Sequence, residues 1–358
     1  MKRREVLKRL GATSAFGIIG GPLMASEKSY LHVPPEESPH ELTFMQWPVS
    51  RRVYFDGAFL ATLQKSIAEI ANTISEFEPV VMLADHSAHQ HARALLSEKV
   101  ELWDIPTEDL WCRDSGPLFA FTPDDELVVS HIQFNGWGGK QIHKRDGKVA
   151  VETARRLSIR TIPSGVTGEA GGIEHDGHGL LMAHESSWVN ENRNAGLSRA
   201  EIEDRLIKAY GASQMVWSPG LKGEDITDYH IDSLARFTGP GRVLLNLPKT
   251  SDPADPFHQA SQDTLETLKR AGLDIEVIHE PEIRRERSLD FVASYVNYYA
   301  CNGAIIAAQF GDGETDEEAR LSLKRHYPGR QVVMLNVDAL GLVGGGIHCA
   351  TQQMPASS

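Results

Sequence analysis

Short runs of branched apolar residues recur along the chain, and residues that favour turns flank each of them. Runs of this length and composition are typical of β-strands. They predict strands over the segments 79–83, 127–132 and 243–247.

Other segments place apolar residues at the spacing of one helix face. In the segment 198–208, Ser198 is a suitable helix cap and Glu201 follows three residues later, which is the pattern of a capping box. A second helix is predicted over 316–325, ending before Pro328. Because strand and helix patterns alternate along the chain, we expect an α/β domain.

Residues that could carry chemistry recur at a nearly constant interval. They are Asp109, Glu169, His230 and Cys349. The first three are roughly 60 residues apart, and the last gap is about twice as long, with the segment 290–297 in its middle. This period predicts about five repeated supersecondary units around an axis, each sending one loop inward.

Residues 1–25 have the layout of an export signal. Basic residues precede an uncharged, glycine-rich run that is too short for a comfortable membrane span. The segment that begins at Arg3 and Arg4 resembles the twin-arginine signature. We expect this segment to direct export to the periplasm or the medium by the twin-arginine route, leaving 26–358 as a single domain that does not enter a membrane. The alternative is a basic amphipathic helix.

Composition and charge narrow the class of protein. The chain has 358 residues, 41% of them hydrophobic, which is ordinary for a globular protein. The formal net charge of -13 argues against a nucleic-acid partner, which needs basic patches, and favours a cationic one. Three cysteines are too few for a disulfide scaffold and lack the paired spacing of a structural zinc site.

Cys349 lies in a segment, 344–353, that begins with three glycines and ends with polar residues. Glycines allow close approach of the backbone, and a reactive cysteine needs a polar setting that favours its thiolate. The segment therefore predicts a nucleophile, although a buried structural cysteine is the alternative. Cys112 and Cys301 have no supporting residues around them and are interpreted as packing residues.

His230 and Asp232 are two residues apart. On a strand they would point to the same face and could form a proton-transfer group beside a cation-binding carboxylate. A metal site is the alternative, with His175 or His348 as a further ligand. Conventional ligand spacing is lacking, so we expect no metal.

Acidic residues at two further places are candidates for the same site. Asp109 precedes an aromatic and an arginine in the segment 107–117, whereas Arg113 and Asp114 are interpreted as a helix cap or a surface ion pair. Glu169 comes shortly before a pair of glycines. The alternative interpretation is that Glu169 has no role in the site and lies in a loop exposed to solvent.

Several motifs together resemble the agmatine deiminase and bacterial peptidylarginine deiminase family. They occur in the family's order and extend over essentially all of the chain after residue 25. The motifs are Trp111-Cys112-Arg113-Asp114-Ser115-Gly116-Pro117, Glu169-Ala170-Gly171-Gly172-Ile173, Asn190-Glu191-Asn192-Arg193-Asn194, His230-Ile231-Asp232, Ser294-Tyr295-Val296-Asn297 and the segment 344–353.

The resemblance implies the pentein fold, a fivefold pseudosymmetric β/α propeller, and a single deiminase catalytic domain over 26–358. It implies a cysteine nucleophile at Cys349 and an acid/base histidine at His230, with Glu169 as the partner of the histidine. The substrate-binding residues implied by the resemblance are Asp109, Asp232, Asn297 and Trp111. No metal and no organic cofactor are implied.

The sequence departs from the family's pattern at three places. The usual Glu-Gly-Gly-Ser-Ile-His becomes Glu169-Ala170-Gly171-Gly172-Ile173-Glu174, so a glutamate stands where the family has histidine. The stretch between Asp232 and Cys349 is shorter than in typical agmatine deiminases. An export signal is also unusual for that family. These departures bear on the substrate more than on the chemistry.

The resulting expectation is hydrolysis of an agmatine-like guanidino compound to N-carbamoylputrescine and ammonia, through a covalent amidino intermediate on Cys349. The cation is expected to be needed for thiolate formation, so that Cys349 is a thiol in the free enzyme. Peptidylarginine or free arginine is the nearest alternative substrate, and a non-catalytic guanidino binder or a metal-dependent hydrolase is a more distant alternative. A homo-oligomer is compatible with the sequence.

Overall fold

The computed structural model describes residues 31–288 and 290–357 of the chain. The predicted export segment, 1–25, lies outside the described residues, so its role stays a prediction. Within the described ranges, no helix combines the length and apolar character that crossing a membrane requires.

The strands of the described part of the chain form five sheets. Their bounds are β1 (His40–Gln46), β2 (Val80–Ala84), β3 (Val100–Asp104), β4 (Leu118–Phe121), β5 (Leu127–Gln133), β6 (Thr161–Thr167), β7 (Ile173–His175), β8 (Leu180–His184), β9 (Gln214–Ser218), β10 (Ala235–Gly239), β11 (Arg242–Leu247), β12 (Asp274–His279), β13 (Tyr299–Cys301), β14 (Ala304–Ala308), β15 (Gln331–Leu335) and β16 (Thr351–Pro355).

Four of the sheets share one plan, in which an antiparallel pair is followed by a third strand parallel to the second. They are β4-β5-β6, β7-β8-β9, β10-β11-β12 and β13-β14-β15. In the remaining sheet the last strand of the chain takes the leading place: β16 pairs antiparallel with β1, β1 is parallel to β2, and β3 extends the sheet. The α/β class and the five repeated units are therefore confirmed.

In each of the five sheets, one parallel pair of strands is joined by a long helix. These are α1 (Gly57–Ile74), α2 (Val149–Leu157), α3 (Arg199–Tyr210), α4 (Pro256–Arg270) and α5 (Gly313–His326). Shorter helices of one turn or little more are His89–Arg93, Cys112–Ser115, Gly136–Gly139, Glu185–Trp188, Glu191–Asn194 and Asp338–Gly341, and 3₁₀ turns are His86–Ala88, Asp146–Lys148, Ala170–Gly172 and Ile231–Ser233.

The predicted elements are confirmed, and their ends have local causes. At the start of α3, the side chain of Ser198 accepts a hydrogen bond from the backbone of Glu201, and the reciprocal bond is present. The helix ends at Gly211, whose φ of 71° suits glycine. α5 begins earlier than predicted because Asp312 accepts hydrogen bonds from two backbone N–H groups of its first turn.

The core lies between the sheets and their crossover helices. β2 is buried along its whole length, as expected for a strand with neighbours on both sides. Ile67, Ile70 and Ile74 on one side of α1 pack into the same cluster as Met82 of β2 and Ile305 of β14. The helix face and the two sheets thus stabilise one another, which holds the ends of the strands in place.

Candidate active site

The residues of the candidate site come from corresponding places in the five units. Each lies in the short segment just before the first strand of its sheet. The pairs are Asp114 and β4, Glu169 and β7, His230 with Asp232 and β10, Asn297 and β13, and Cys349 and β16. The period seen in the sequence therefore corresponds to one loop from each unit, and all these loops meet at one place.

Cys349 lies at the centre of this group. Its Sγ is 3.3 Å from Oδ2 of Asp232, to which the thiol donates, and 3.2 Å from the amide nitrogen of Asn297. Burial, and then the charges of Asp232 and Asp114, raise the pKa of the thiol well above its usual value. This is the direction that the sequence prediction of a neutral thiol in the free enzyme requires.

His230 lies between two carboxylates. Its Nε2 is 3.2 Å from Oε2 of Glu169, and its Nδ1 is 3.7 Å from Oδ1 of Asp114. Burial lowers the pKa of His230, but Asp114, the hydrogen bond to Glu169 and the charge of Asp232 outweigh burial and raise it to about 9. At neutral pH the ring is therefore an imidazolium, which can act as a general acid.

Glu169 is held in turn by Arg193. The Nε of Arg193 lies 3.0 and 2.9 Å from the two carboxylate oxygens of Glu169, and both side chains are buried. Arg193 also donates to Asp228, two residues before His230, at 2.7 Å. One arginine thus orients both the histidine's partner and the loop that carries the histidine.

Asp114 was interpreted from the sequence as a helix cap or a surface ion-pair residue, and this was wrong. Its side chain is buried, accepts a hydrogen bond from Nε1 of Trp137 at 2.8 Å, and faces His230. Burial, opposed in part by His230, raises its pKa to about 6. Arg113 is buried as well, and pairs with Glu36 at 2.8 Å.

A point beside Gly171 shows how closely the polar atoms converge. A methyl group built on Gly171 would lie 2.7 Å from Oδ1 of Asp114, 3.0 Å from Nδ1 of His230 and 3.2 Å from Oδ2 of Asp232. The absence of a side chain at Gly171 therefore leaves room between the two aspartates and the histidine.

Asp232 has one carboxylate oxygen that receives no hydrogen bond from the described residues. Its Oδ2 is shared by Cys349 and His348, while no group in the described part of the chain hydrogen-bonds to Oδ1, although that atom is buried. A buried carboxylate oxygen without a donor is costly, so it is expected to receive one from a bound molecule.

Asp109, which the sequence predicted to bind substrate, makes different contacts. It accepts hydrogen bonds from the hydroxyl of Tyr54, from the backbone of Leu110 at 2.8 Å and from the amide of Gln141 at 2.5 Å. Burial raises the pKa of its carboxyl. These contacts brace the loop before Trp111, and the predicted role of Asp109 in binding stays a prediction.

The ring of Trp111 packs against the glycines that precede Cys349. A Cβ on Gly345 would lie 2.6 Å from the Trp111 ring and 3.3 Å from Sγ of Cys349. Trp111 therefore lies beside the nucleophile, and only glycine leaves space for both.

His230 and Asp232 do not lie on a strand, as the sequence predicted. A 3₁₀ turn over Ile231–Ser233 carries Asp232, and the residues just before it, Asp228 and Tyr229, have positive φ angles of 59° and 67°. The two side chains nevertheless face one place, because the turn and the left-handed residues redirect the chain. Strained backbone of this kind is often found at functional sites.

The metal site considered from the sequence involved His175 and His348. In residues 31–288 and 290–357, no group of three His, Cys, Asp or Glu side chains is placed to hold a metal ion. His348, one of the two ligands considered from the sequence, instead lies between Asp232 and Glu36. His175 is partly buried, and desolvation lowers its pKa to about 4.

Sequence reasoning missed four residues of the site: Asp114, Gly171, Arg193 and His348. Each stands inside a motif that was noted, and all but Arg193 are close in sequence to a residue that was chosen. Their spacing alone does not distinguish them from their neighbours, because the deciding property is the direction of the side chain.

The chain is similar to several known proteins. The sequence profile of the Porphyromonas-type peptidyl-arginine deiminases matches residues 32–355. An agmatine deiminase of Pseudomonas aeruginosa is 33% identical, over 94% of this chain and 99% of that protein. Among solved structures, an agmatine deiminase of Enterococcus faecalis superposes with a TM-score of 0.84 at 26% identity, covering 92% of this chain and 97% of that one. A C. jejuni agmatine deiminase with a cysteine replaced by serine and substrate bound has a TM-score of 0.82 at 25% identity, covering 91% and 97%.

The charge of Asp114 should be visible in the titration of His230. Because Asp114 raises the pKa of His230, Asp114→Asn should lower that pKa from about 9 by about one to three units. Ring signals of His230 followed by NMR between pH 5 and 10 would measure it. Asp109→Asn is the matched control and should leave the titration unchanged. An equal shift in both variants would contradict the placement of Asp114.

The raised pKa of Cys349 should make the free enzyme slow to alkylate. Because only the thiolate reacts, labelling by iodoacetamide at pH 7 should be slow and should keep rising beyond pH 9. Mass spectrometry would locate the label, with Cys349→Ala as the control for Cys112 and Cys301. Rapid labelling of Cys349 that is already maximal at pH 7 would show a low-pKa thiolate instead.

Proposed function

The chain belongs to the Porphyromonas-type peptidyl-arginine deiminase family, and on this basis we propose that it hydrolyses the guanidino group of agmatine or a closely similar small cation. The products are ammonia and N-carbamoylputrescine. The observation that carries the proposal is the meeting of a buried thiol with two aspartates and a histidine around one small space.

The two aspartates suit a guanidinium ion. A guanidinium is planar and cationic, and carboxylates bind its N–H edges through paired, charge-assisted hydrogen bonds. Asp114 and Asp232 face the same space, and Oδ1 of Asp232 has no donor from the described residues. In this proposal they replace the sequence-based pair of Asp109 and Asp232 as the binding carboxylates, with Trp111 and Asn297 beside the reacting atoms.

The bound cation would activate the nucleophile. A positive charge about 4 Å from the thiolate stabilises it by roughly 4 kcal/mol at an effective dielectric of about 20. That corresponds to roughly 3 pKa units. The thiol proton of Cys349 is released to solvent as the cation binds, and Sγ attacks the guanidinium carbon to give a neutral tetrahedral adduct.

His230 would then transfer protons in both halves of the reaction. Its imidazolium protonates one nitrogen of the adduct, the C–N bond breaks, ammonia leaves, and an amidino-thioether remains on Cys349. The neutral ring, held by Glu169, next accepts a proton from water as the water attacks that carbon. The C–S bond breaks, the remaining hydroxyl proton of the adduct passes to the sulfur of Cys349, and the ureido product leaves. No step needs a metal or an organic cofactor.

The relatives favour agmatine over a peptide substrate. The agmatine deiminases of P. aeruginosa and E. faecalis match along nearly the whole length of both chains. The family profile, in contrast, is described for peptidyl-arginine deiminases, so peptidylarginine is the second candidate. An export signal at residues 1–25 would place the enzyme in the periplasm or the medium, where either substrate would have to be met outside the cytoplasm.

A substrate panel tests the proposal. Agmatine, free arginine and a peptide ending in arginine should be compared by ammonia release and by detection of the ureido product, with agmatine expected to have the highest kcat/KM. A chelator should leave the activity intact. Cys349→Ala should abolish turnover and keep agmatine binding, measured by calorimetry. Ammonia release near the wild-type rate from Cys349→Ala would contradict the nucleophile.

Gly171 offers a separate test of the space between the aspartates. A methyl group at Gly171 would lie within 3.2 Å of three polar atoms, so Gly171→Ala should lower kcat/KM for agmatine by at least about 100-fold. Gly313→Ala is the control, because a Cβ there meets nothing within 4 Å and the backbone is not left-handed. Thermal melting would check that both variants fold. Wild-type kinetics in a folded Gly171→Ala enzyme would exclude this space as the binding site.

A further inference from the structure

His348 lies between two buried carboxylates. Its Nδ1 is 2.7 Å from Oδ2 of Asp232, and its Nε2 is 3.0 Å from Oε2 of Glu36. The ring is buried, and so are both partners. A carboxylate only accepts hydrogen bonds, so each ring nitrogen must carry a hydrogen for both bonds to form. The geometry is therefore that of an imidazolium.

The charge of this imidazolium is needed by Asp232 rather than by Glu36. Glu36 already pairs with two guanidinium groups, Arg113 at 2.8 Å and Arg236 at 3.1 Å. Glu174, 4.0 Å from the ring, pairs with Arg236 at 2.8 Å. The other cation near Asp232 is His230, which is itself engaged by Glu169.

The contacts of Asp232 show what His348 does for it. Oδ2 receives both His348 and the thiol of Cys349, and this fixes the rotation of the carboxyl group. Oδ1 is then the oxygen left without a donor in the described structure. Burial would raise the pKa of Asp232, but the hydrogen bond and charge of His348 lower it below its usual value.

We propose that His348 is a positioning residue for the deimination reaction: as an imidazolium held between Glu36 and Asp232, it keeps Asp232 ionised and turns Oδ1 toward the guanidinium of the substrate. The inference rests on the proposed function and assigns to His348 a role in substrate binding that it exerts through Asp232.

Two substitutions separate the two ends of the ring. Asparagine places its amide nitrogen near the position of Nδ1, so His348→Asn keeps a donor to Asp232 and loses the charge and the contact with Glu36. Glutamine places its nitrogen near the position of Nε2, so His348→Gln keeps the contact with Glu36 and loses the charge and the donor to Asp232. A role through Asp232 predicts that His348→Gln is the more damaging change, and a role through Glu36 predicts the reverse.

Binding is best measured without turnover. In the Cys349→Ala background, calorimetry with agmatine should show a Kd raised about 10-fold to 100-fold by His348→Gln, the range for loss of a charged hydrogen bond. His348→Asn should raise the Kd less. With Cys349 present, the same order should appear in KM. Unchanged Kd values in folded His348 variants, or a larger effect of His348→Asn, would overturn the inference.

His40 provides a matched control for the loss of a buried histidine. Its Nδ1 lies 3.0 Å from the carboxylate of Glu78, its Nε2 contacts the backbone oxygen of Glu36 at 2.6 Å, and neither bond involves Asp232. His40→Asn should lower the thermal stability and leave the Kd for agmatine unchanged. An equal loss of affinity in His40→Asn and His348→Asn would mean that only the stability of the core matters.

A measurement on the unaltered ring covers the case in which the His348 variants do not fold. Proton–nitrogen correlation spectra of the wild-type enzyme report whether each ring nitrogen carries a hydrogen, with His348 assigned by its contacts to the neighbouring residues. Both nitrogens should carry a hydrogen. A neutral ring would overturn the inference, whereas absence of deiminase activity in the wild-type enzyme would refute the proposed function itself.

Discussion

Several carboxylates must stay charged at one buried place in this molecule, and much of the structure around them serves that requirement. Burying an unpaired carboxylate costs several kcal/mol, and the group would otherwise take up a proton. Here each acid has its own support: Asp114 has Trp137 and the backbone of Gly171, Glu169 has Arg193, and Asp232 has His348. A bound cation would then add positive charge beside carboxylates that these contacts already keep ionised.

This support connects units that are far apart in the sequence. Glu36, near the beginning of the described chain, joins Arg113 of one unit to Arg236 of another and also contacts His348. Such a buried network is expected to be sensitive to the loss of any one member, because removing one partner leaves another charge unpaired. The positions of the loops and the charges of their side chains therefore depend on each other.

The repeated topology explains how one site draws on five loops. In every unit the chain reaches the first strand of a sheet through a short segment, and that segment carries the functional side chain. The fivefold plan would place equivalent segments at equivalent positions, whereas the residue types differ from unit to unit. The closing strand β16 pairs with β1, so the loop of Cys349 is fixed by contacts between the two ends of the described chain.

The sequence by itself determined the α/β class, the number of repeated units, the strands and helices tested above, and the segments that form the site. Those features depend on local patterns of apolar residues, on helix caps and on recognisable motifs. It also led to Cys349, His230, Glu169, Asp232 and Asn297, which the structure brings together.

Only the tertiary structure decided which side chains in those segments face the site. Asp109 and Asp114 lie in one segment, 107–117, but Asp114 is part of a one-turn helix over Cys112–Ser115 and faces His230, whereas Asp109 precedes that helix and contacts Tyr54. His348 and Gly171 likewise gain their importance from groups distant in sequence. Spacing along a chain fixes which loop a residue belongs to, whereas the direction of its side chain follows from the packing of loops from different units.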